Sequence, residues 1–144
     1  MKRVNVVSAV IYDNNENILI VKNRKGDSFY WSLPGGAVEG DETLEEAVIR
    51  ELKEETGYNI AVDRLHSVRE MLFEDRGHHA LIITFYARII DGEININDPD
   101  NDIVEVKWAN NETVKESMPS LYERLKIHTD STKIPAFYAF EGTQ

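Results

Sequence analysis

The sequence predicts a single α+β domain that spans residues 1–144. Three observations support this class. Runs of β-branched and aromatic residues alternate with turn residues, one strongly capped amphipathic helix follows residue 43, and no repeat, low-complexity segment or linker divides the chain. With 144 residues, of which 42% are hydrophobic, the chain can bury roughly 70% of its unfolded surface.

The first elements are predicted to be strands. Val4–Tyr12 and Ile18–Lys22 are rich in β-branched residues, and the polar stretch Asp13–Asn17 between them predicts a hairpin. Asn23–Ser28 is expected to form a loop. Phe29–Leu33 then reads as a short aromatic strand that ends at a Pro-Gly-Gly turn.

A helix is predicted to begin after Thr43. Thr43 and Glu46 have the spacing of a capping box, and Gly57 is a natural helix stop. An apolar stripe at helical spacing is expected to face the core, and it comprises Leu44, Val48, Ile49 and Leu52.

Strand and helix patterns continue beyond Gly57. Two long strands are predicted on either side of an Asp-Arg-Gly turn at 75–77, at Tyr58–Leu72 and Ala80–Ile90. Residues 91–102 form an acidic loop, and a strand follows at Ile103–Ala109. Asn110–Lys126 has a helical pattern that Pro119 is expected to divide, and Ile134–Phe140 could add a final strand.

The composition excludes several classes of protein. The chain has no cysteine, which excludes disulfide frameworks and zinc–thiolate sites. A net charge of −10 argues against binding of nucleic-acid polymers. The N-terminus reads as a strand rather than a signal peptide, and no apolar run approaches the roughly 18 residues of a membrane span. We therefore expect a cytoplasmic protein that does not bind membranes.

Acidic residues are concentrated in two segments, 39–55 and 91–105. In the first, Glu51, Glu54 and Glu55 have the i, i+3, i+4 spacing that brings side chains to one patch of a helix. Like charges in that arrangement repel one another. A hard cation such as Mg²⁺ or Mn²⁺ would offset the repulsion, since these ions prefer carboxylate oxygens.

The spacing from Gly36 to Gly57 resembles the signature of the Nudix hydrolase family, including its MutT-like members. Gly36 is followed after five residues by Glu42 and after seven more by Arg50-Glu51-Leu52-Lys53-Glu54-Glu55-Thr56-Gly57. Only Tyr58 departs from the pattern, which has an aliphatic residue at that position. The resemblance implies an α/β/α sandwich around a mixed sheet, and hydrolysis of nucleoside diphosphates linked to a further group.

The resemblance also implies roles for the matching residues. Glu51 and Glu55 would bind the metal, Glu54 would be a ligand or the general base, and the Gly36 carbonyl would complete the coordination. Glu42 would hold the loop through Arg50. Arg50 could instead bind a substrate phosphate, although a structural partnership with the carboxylates is the stronger interpretation.

Further candidates lie outside this motif. Asp102 and Glu105 are candidate additional ligands, against the alternative that they belong to a solvated loop. Tyr30 and Trp31 could stack on a nucleobase, against the alternative that they belong to the core. Arg24 and Arg69 could contact substrate phosphates.

The short chain favours a nucleoside triphosphate as substrate, cleaved to a monophosphate and pyrophosphate by a monomer or homodimer. ADP-ribose, dinucleoside polyphosphates and nucleotide sugars are alternatives. The ADP-ribose alternative is disfavoured because residues 58–98 contain no proline, whereas the ADP-ribose enzymes of the family carry one beyond the motif. A catalytically silent nucleotide-binding sensor is the alternative from another class of protein.

Overall fold

The computed structural model describes residues 1–127 and 130–144. Three helices lie in these residues, namely α1 (Leu44–Thr56), α2 (Asn111–Ser117) and α3 (Pro119–Arg124). The strands are β1 (Lys2–Ile11), β2 (Ile18–Lys25), β3 (Ser28–Ser32), β4 (Gly35–Ala37), β5 (Tyr58–Phe73), β6 (His78–Gly92), β7 (Ile103–Ala109) and β8 (Phe137–Thr143), and a 3-10 turn spans Ser131–Lys133. No helix among these residues is long and apolar enough to span a membrane.

The strands form two sheets. The larger has the order β4-β1-β6-β5-β8, with β1 parallel to β6, β5 parallel to β8 and the other pairs antiparallel. The smaller is antiparallel, in the order β3-β2-β7. The predicted hairpin between the first two strands is wrong. Strands β1 and β2 join different sheets, and a single bridge between Tyr12 and Ile18 connects their ends.

Helices cover both faces of this β layer. α1 packs on one face, where Val7, Ala9 and Ile11 of β1 meet Val48 and Leu52 in one buried cluster. On the other face, Val10 of β1 joins a second cluster with residues of α2 and α3. Successive side chains of a strand point to opposite faces, so β1 contributes to both clusters. The α/β/α sandwich with a mixed sheet is confirmed.

Helix α1 begins and ends where the sequence predicts. Thr43 and Glu46 form the reciprocal capping box, and Gly57 closes the helix in the left-handed conformation with φ 88°. The predicted apolar stripe is partly wrong, since Leu44 and Ile49 are each 38% exposed. Leu44 occupies the first turn, and Ile49 lies about 100° round the helix from Val48. The buried positions are instead Ala47, Val48, Leu52, Glu55 and Thr56.

The predicted loop between β2 and β3 is also wrong. β2 continues to Lys25, which pairs with Ser28 at the start of β3, so only Gly26 and Asp27 form the turn. Gly26 has a φ of 61°, as a tight hairpin turn requires.

The C-terminal predictions are confirmed with small shifts. Pro119 begins α3 and separates it from α2. The last strand, β8, begins three residues later than predicted and adds to the edge of the larger sheet beside β5.

The acidic loop after β6 is fastened to α1, because Asn95 and Asn97 donate backbone N–H groups to the carbonyl oxygens of Thr56 and Glu54.

Candidate functional site

The glycine turn lies directly against the carboxylates of α1. β4 pairs with β1 and packs on the helix, which brings the backbone N–H of Gly35 to 3.0 Å from Glu55 Oε1. A Cβ added at Gly36 would lie 2.6 Å from Glu51 Oε1. A side chain at position 36 would therefore displace the Glu51 carboxylate.

Arg50 connects the glutamates of the motif. Its Nε and Nη2 donate to the two carboxylate oxygens of Glu42 at 2.6 and 2.9 Å, which makes a bidentate pair. Its Nη1 donates to Glu51 at 3.0 Å and to Glu54 at 3.2 Å. Hydrogen bonds from Arg50 lower the pKa of Glu42 to about 2. The guanidinium also donates to the Ala37 carbonyl at 3.1 Å, so it ties the glycine turn to the helix.

The carboxylate at the base of this cluster is buried. Glu55 is 8% exposed and lies on the same face of α1 as Val48 and Leu52. Burial, together with the negative charges of Glu51 and Asp98, raises the pKa of Glu55 to about 8, against the opposing hydrogen bond from the Gly35 N–H. Burial also raises the pKa of Glu51, although Arg50 opposes that shift. A positive charge placed among these groups would stabilise their ionised forms.

The two acidic segments meet at one cavity. We call it the acidic cavity; it has a volume of about 400 Å³, and its lining includes Gly36, Glu51, Glu55, Asp98 and Asp102. Glu105 does not line it. Glu105 is an exposed residue of β7 opposite Lys22 of β2, and it is therefore not positioned as the additional ligand that the sequence suggested.

Asp98 is the acidic residue that the sequence analysis missed. Its carboxylate accepts backbone N–H groups from Asp100, Asp102 and Ile103 at 2.7 to 3.2 Å, which folds the loop into its approach to β7. The Asp-Pro-Asp turn at 98–100 is a local signal for such side-chain-to-backbone bonds.

The donor set fits a hard divalent cation. Glu51 and Glu55 line the acidic cavity with carboxylate oxygens, and the missing Cβ of Gly36 leaves the space that Glu51 occupies. Glu54 does not line the cavity, but it shares Arg50 Nη1 with Glu51. Within the described ranges no three acidic or histidine side chains already surround a common point. Arg50 Nη1 donates to the carboxylates of Glu51 and Glu54, whereas the carboxylate of Glu55 accepts the backbone N–H of Gly35. Metal binding would therefore require these carboxylates to rotate.

Two further cavities adjoin the acidic cavity. The central cavity, of about 440 Å³, has a largely apolar lining that includes Val6, Leu33, Ile82 and Leu121. The basic cavity, of about 510 Å³, is lined by residues that include Lys25, Arg69, Arg76, Arg124, Asp75 and Glu141. Tyr30 and Arg76 line all three cavities. A ligand longer than a nucleoside could therefore extend from one cavity into the next.

The structure separates the predicted substrate residues. Tyr30 faces the cavities, and Arg24 lines the acidic one. Trp31 lines none of the three and belongs to the second buried cluster, with the ammonium groups of Lys22 and Lys107 over its ring. As neighbours on β3, Tyr30 and Trp31 point to opposite faces. Trp31 is therefore not positioned to stack on a ligand in these cavities.

Arg69 lies away from the acidic cavity. It lines the central and basic cavities, is 4% exposed, and its Nη1 donates to Glu141 at 3.0 Å. The sequence analysis missed Arg76 and Arg124, which also line the basic cavity. They come from separate parts of the chain, and no local pattern connects them.

Comparison with known proteins identifies similar sequences. A family profile for the NUDIX domain matches residues 2–127. The chain is 41% identical over 90 residues to an ADP-ribose pyrophosphatase of Methanocaldococcus jannaschii, covering 61% of this chain and 53% of that protein. It is 35% identical over 101 residues to a putative 8-oxo-dGTP diphosphatase of Bacillus subtilis, covering 69% of this chain and 62% of that protein. The chain thus spans less than two thirds of the length of these two relatives.

Solved structures show the same fold. A NUDIX hydrolase from Nitrosomonas europaea superposes with a TM-score of 0.79 and 21% sequence identity, covering 93% of each chain. At that identity the likeness establishes the architecture, and the motif on α1 carries the argument about chemistry.

Proposed function

This chain belongs to the NUDIX domain family, and from that premise we propose that it hydrolyses a diphosphate bond in a nucleoside diphosphate derivative. The preferred substrate in this proposal is a nucleoside triphosphate, cleaved to a nucleoside monophosphate and pyrophosphate. The observation that carries the proposal is the convergence of Glu51, Glu55 and the glycine turn on the acidic cavity, beside a central cavity large enough for a nucleoside.

The proposed cofactor is Mg²⁺, with Mn²⁺ as an alternative. Glu51, Glu54, Glu55 and the carbonyl of Gly36 would hold it, and Asp102 also lines the acidic cavity. When bound, the ion would neutralise diphosphate oxygens and favour ionisation of water. It would also offset the repulsion that raises the pKa of Glu55.

The residues of the chain have distinct proposed roles. Glu54 is half-buried at the site and pairs with Arg50, which makes it available as a general base once that contact loosens. Arg50 acts through the glutamates that it holds and through its bond to the Ala37 carbonyl. We therefore propose that Arg50 is a positioning residue rather than a phosphate ligand.

Two substrate classes compete within this proposal. The relatives include an ADP-ribose pyrophosphatase and a putative 8-oxo-dGTP diphosphatase, so they support both. The absence of proline from residues 58–98 favours the triphosphate. Dinucleoside polyphosphates and nucleotide sugars remain alternatives. A silent nucleotide sensor is less well supported, because every glutamate of the motif is present.

The test is a hydrolysis panel. The protein is incubated with Mg²⁺ and ordinary and oxidised nucleoside triphosphates, ADP-ribose, dinucleoside polyphosphates and nucleotide sugars, and the products are identified by chromatography and mass spectrometry. We expect a triphosphate to give the monophosphate and pyrophosphate. Glu54→Gln and Glu55→Gln are expected to abolish turnover while circular dichroism shows an intact fold.

The matched control is Glu45→Gln, because Glu45 is an exposed glutamate on the first turn of the same helix. It is expected to retain activity. A wild-type protein that cleaves nothing in the panel, yet binds one nucleotide tightly, would overturn the proposal in favour of the sensor.

A further inference from the structure

The basic cavity has a charge opposite to that of the whole chain. Its lining carries four cations, Lys25, Arg69, Arg76 and Arg124, against two anions, Asp75 and Glu141. The chain as a whole has a net charge of −10. Cations concentrated in a concave site attract anionic ligands, because its low-dielectric walls focus their field.

Two of these cations have no carboxylate partner among the described residues. Lys25 and Arg76 line the cavity and are exposed, and neither forms an ion pair with a described residue. The guanidinium of Arg76 lies 5.4 Å from the centre of the Phe73 ring, which also lines the cavity. Their charges are therefore available to a ligand.

The interior of the cavity contains a buried ion pair. Arg69 Nη1 bonds Glu141 at 3.0 Å, and the two side chains are 5% and 6% exposed. Arg69 Nε is buried without a hydrogen-bond partner in the described part of the chain. Arg124 lies 3.9 Å from the same Glu141 oxygen. One carboxylate thus faces two guanidinium groups. Glu141 can balance only one of their two positive charges, so one positive charge remains without a negative partner.

The position of the basic cavity decides which part of a ligand it would meet. It shares six lining residues with the central cavity, among them Arg69, Phe73, Ile82 and Leu121, but only Lys25, Tyr30 and Arg76 with the acidic cavity. A diphosphate held at Glu51 and Glu55 would place its nucleoside in the central cavity. An anion in the basic cavity would then be attached on the nucleoside side.

We propose that the basic cavity is a subsite for a second phosphate group, a monoester on the nucleoside moiety of the substrate, separate from the diphosphate that is cleaved. This inference rests on the function proposed above for the acidic cavity. A phosphate monoester carries about −1.5 to −2 charges at pH 7 and three acceptor oxygens, which suit Arg76 and Arg124.

Binding can be measured without metal or turnover. Isothermal titration calorimetry in EDTA compares AMP with adenosine 3′,5′-bisphosphate and adenosine 2′,5′-bisphosphate, and inorganic phosphate is titrated alone. We expect at least one bisphosphate to bind about tenfold or more tightly than AMP, because its second phosphate would accept charge-assisted hydrogen bonds from the arginines. The double variant Arg76→Gln/Arg124→Gln should remove this preference.

Arg88→Gln is the matched control, since Arg88 is an exposed arginine of β6 that pairs with Asp63 and lines none of the three cavities. It should retain the preference. Equal binding of AMP and both bisphosphates would overturn the proposal. So would inorganic phosphate binding as tightly as the better bisphosphate, because the cavity would then be a site for free phosphate.

Turnover provides a second, separable test. kcat/KM is compared within pairs of diphosphates that differ by one monoester: coenzyme A with dephospho-coenzyme A, and NADPH with NADH. We expect the phosphorylated member of at least one pair to be preferred about tenfold, and the double variant to lose that preference. Hydrolysis without preference would overturn the subsite alone. Bisphosphate-specific binding without hydrolysis of these pairs or of any compound in the panel above would overturn the proposed function alone.

Discussion

The backbone N–H of Asn97 donates to the carbonyl oxygen of Glu54 at 2.8 Å. This bond fastens the acidic loop to the last turn of α1, next to the carboxylates of the motif. The loop in turn carries Asp98 and Asp102 to the acidic cavity. The two acidic segments lie about forty residues apart in the sequence. Backbone hydrogen bonds, rather than contacts between their side chains, hold them at one site.

The first prediction concerns this bond. Asn97→Pro removes the N–H and should let the loop move away from α1, whereas Asn97→Ala keeps the N–H and serves as the control. We expect Asn97→Pro to lower kcat/KM by about tenfold or more, because a displacement of about 1 Å at a catalytic site can cost a hundredfold. Steady-state kinetics of both variants would check this, and equal activities would contradict it.

The second prediction concerns Gly36. In Gly36→Ala the new methyl group would lie 2.6 Å from Glu51 Oε1 and displace that carboxylate. We expect loss of most activity and weaker binding of Mn²⁺, measured by electron paramagnetic resonance. Glu45→Gln is the control, since Glu45 is exposed on the first turn of α1. Unchanged Mn²⁺ affinity in Gly36→Ala would show that Glu51 does not need its present position.

The third prediction concerns Arg50. A lysine could not reproduce the planar fork that bonds both oxygens of Glu42 and also reaches Glu51 and Glu54. We expect Arg50→Lys to lower the free energy of unfolding by about 1–3 kcal/mol, as for lost charged hydrogen bonds. Urea denaturation measures this change. Arg88→Lys, at an exposed pair with Asp63, should change it by less than about 1 kcal/mol.

The fourth prediction concerns pH and His66. Burial lowers the pKa of His66, and the positive charges of Arg69, Arg64 and Lys126 lower it further. Its Nε2 donates to the Leu125 carbonyl at 2.9 Å, a bond that opposes this shift, and in the neutral ring Nδ1 accepts from the Ser67 hydroxyl at 2.8 Å.

The unfolded chain binds a proton at His66 more readily than the folded chain does. Stability contributed by His66 is therefore present above the unfolded pKa of about 6.5 and is lost as the pH falls below it. We expect the wild-type protein to lose more of its free energy of unfolding than His66→Gln when the pH is lowered to about 5. Urea denaturation of both proteins at neutral pH and at about pH 5 measures these losses. Equal losses in the wild-type protein and in His66→Gln would contradict the prediction.

Local signals carried the correct sequence predictions. The bounds of α1 follow from Thr43, Glu46 and Gly57, whose contacts lie within a few residues of one another. Pro119 likewise divides the C-terminal helices because proline lacks a backbone N–H and restricts the residue before it. Such features depend on the chain immediately around them, so the sequence contains the information.

Long-range pairing explains the failures. The turn residues between β1 and β2 favour a hairpin, but β1 instead forms ten parallel pairs with β6. Whether Tyr30 or Trp31 faces a ligand depends on which face of β3 lies against the cavities. The alternation of side chains along a strand does not say which face that is. The basic cavity could not be predicted from the sequence for the same reason. Its cations lie on strands, a turn and a helix that come together only when the chain folds.

Strand β8 has a consequence for how such a protein can change over time. The family match ends at residue 127, whereas Glu141, the partner of Arg69, is carried by β8. Glu141 is thus encoded apart from the glutamates of α1 and from the cations of the basic cavity, which all lie within the matched residues. On the proposals above, mutation of the Glu141 codon would change the charge of the basic cavity while the codons of the α1 glutamates stay the same.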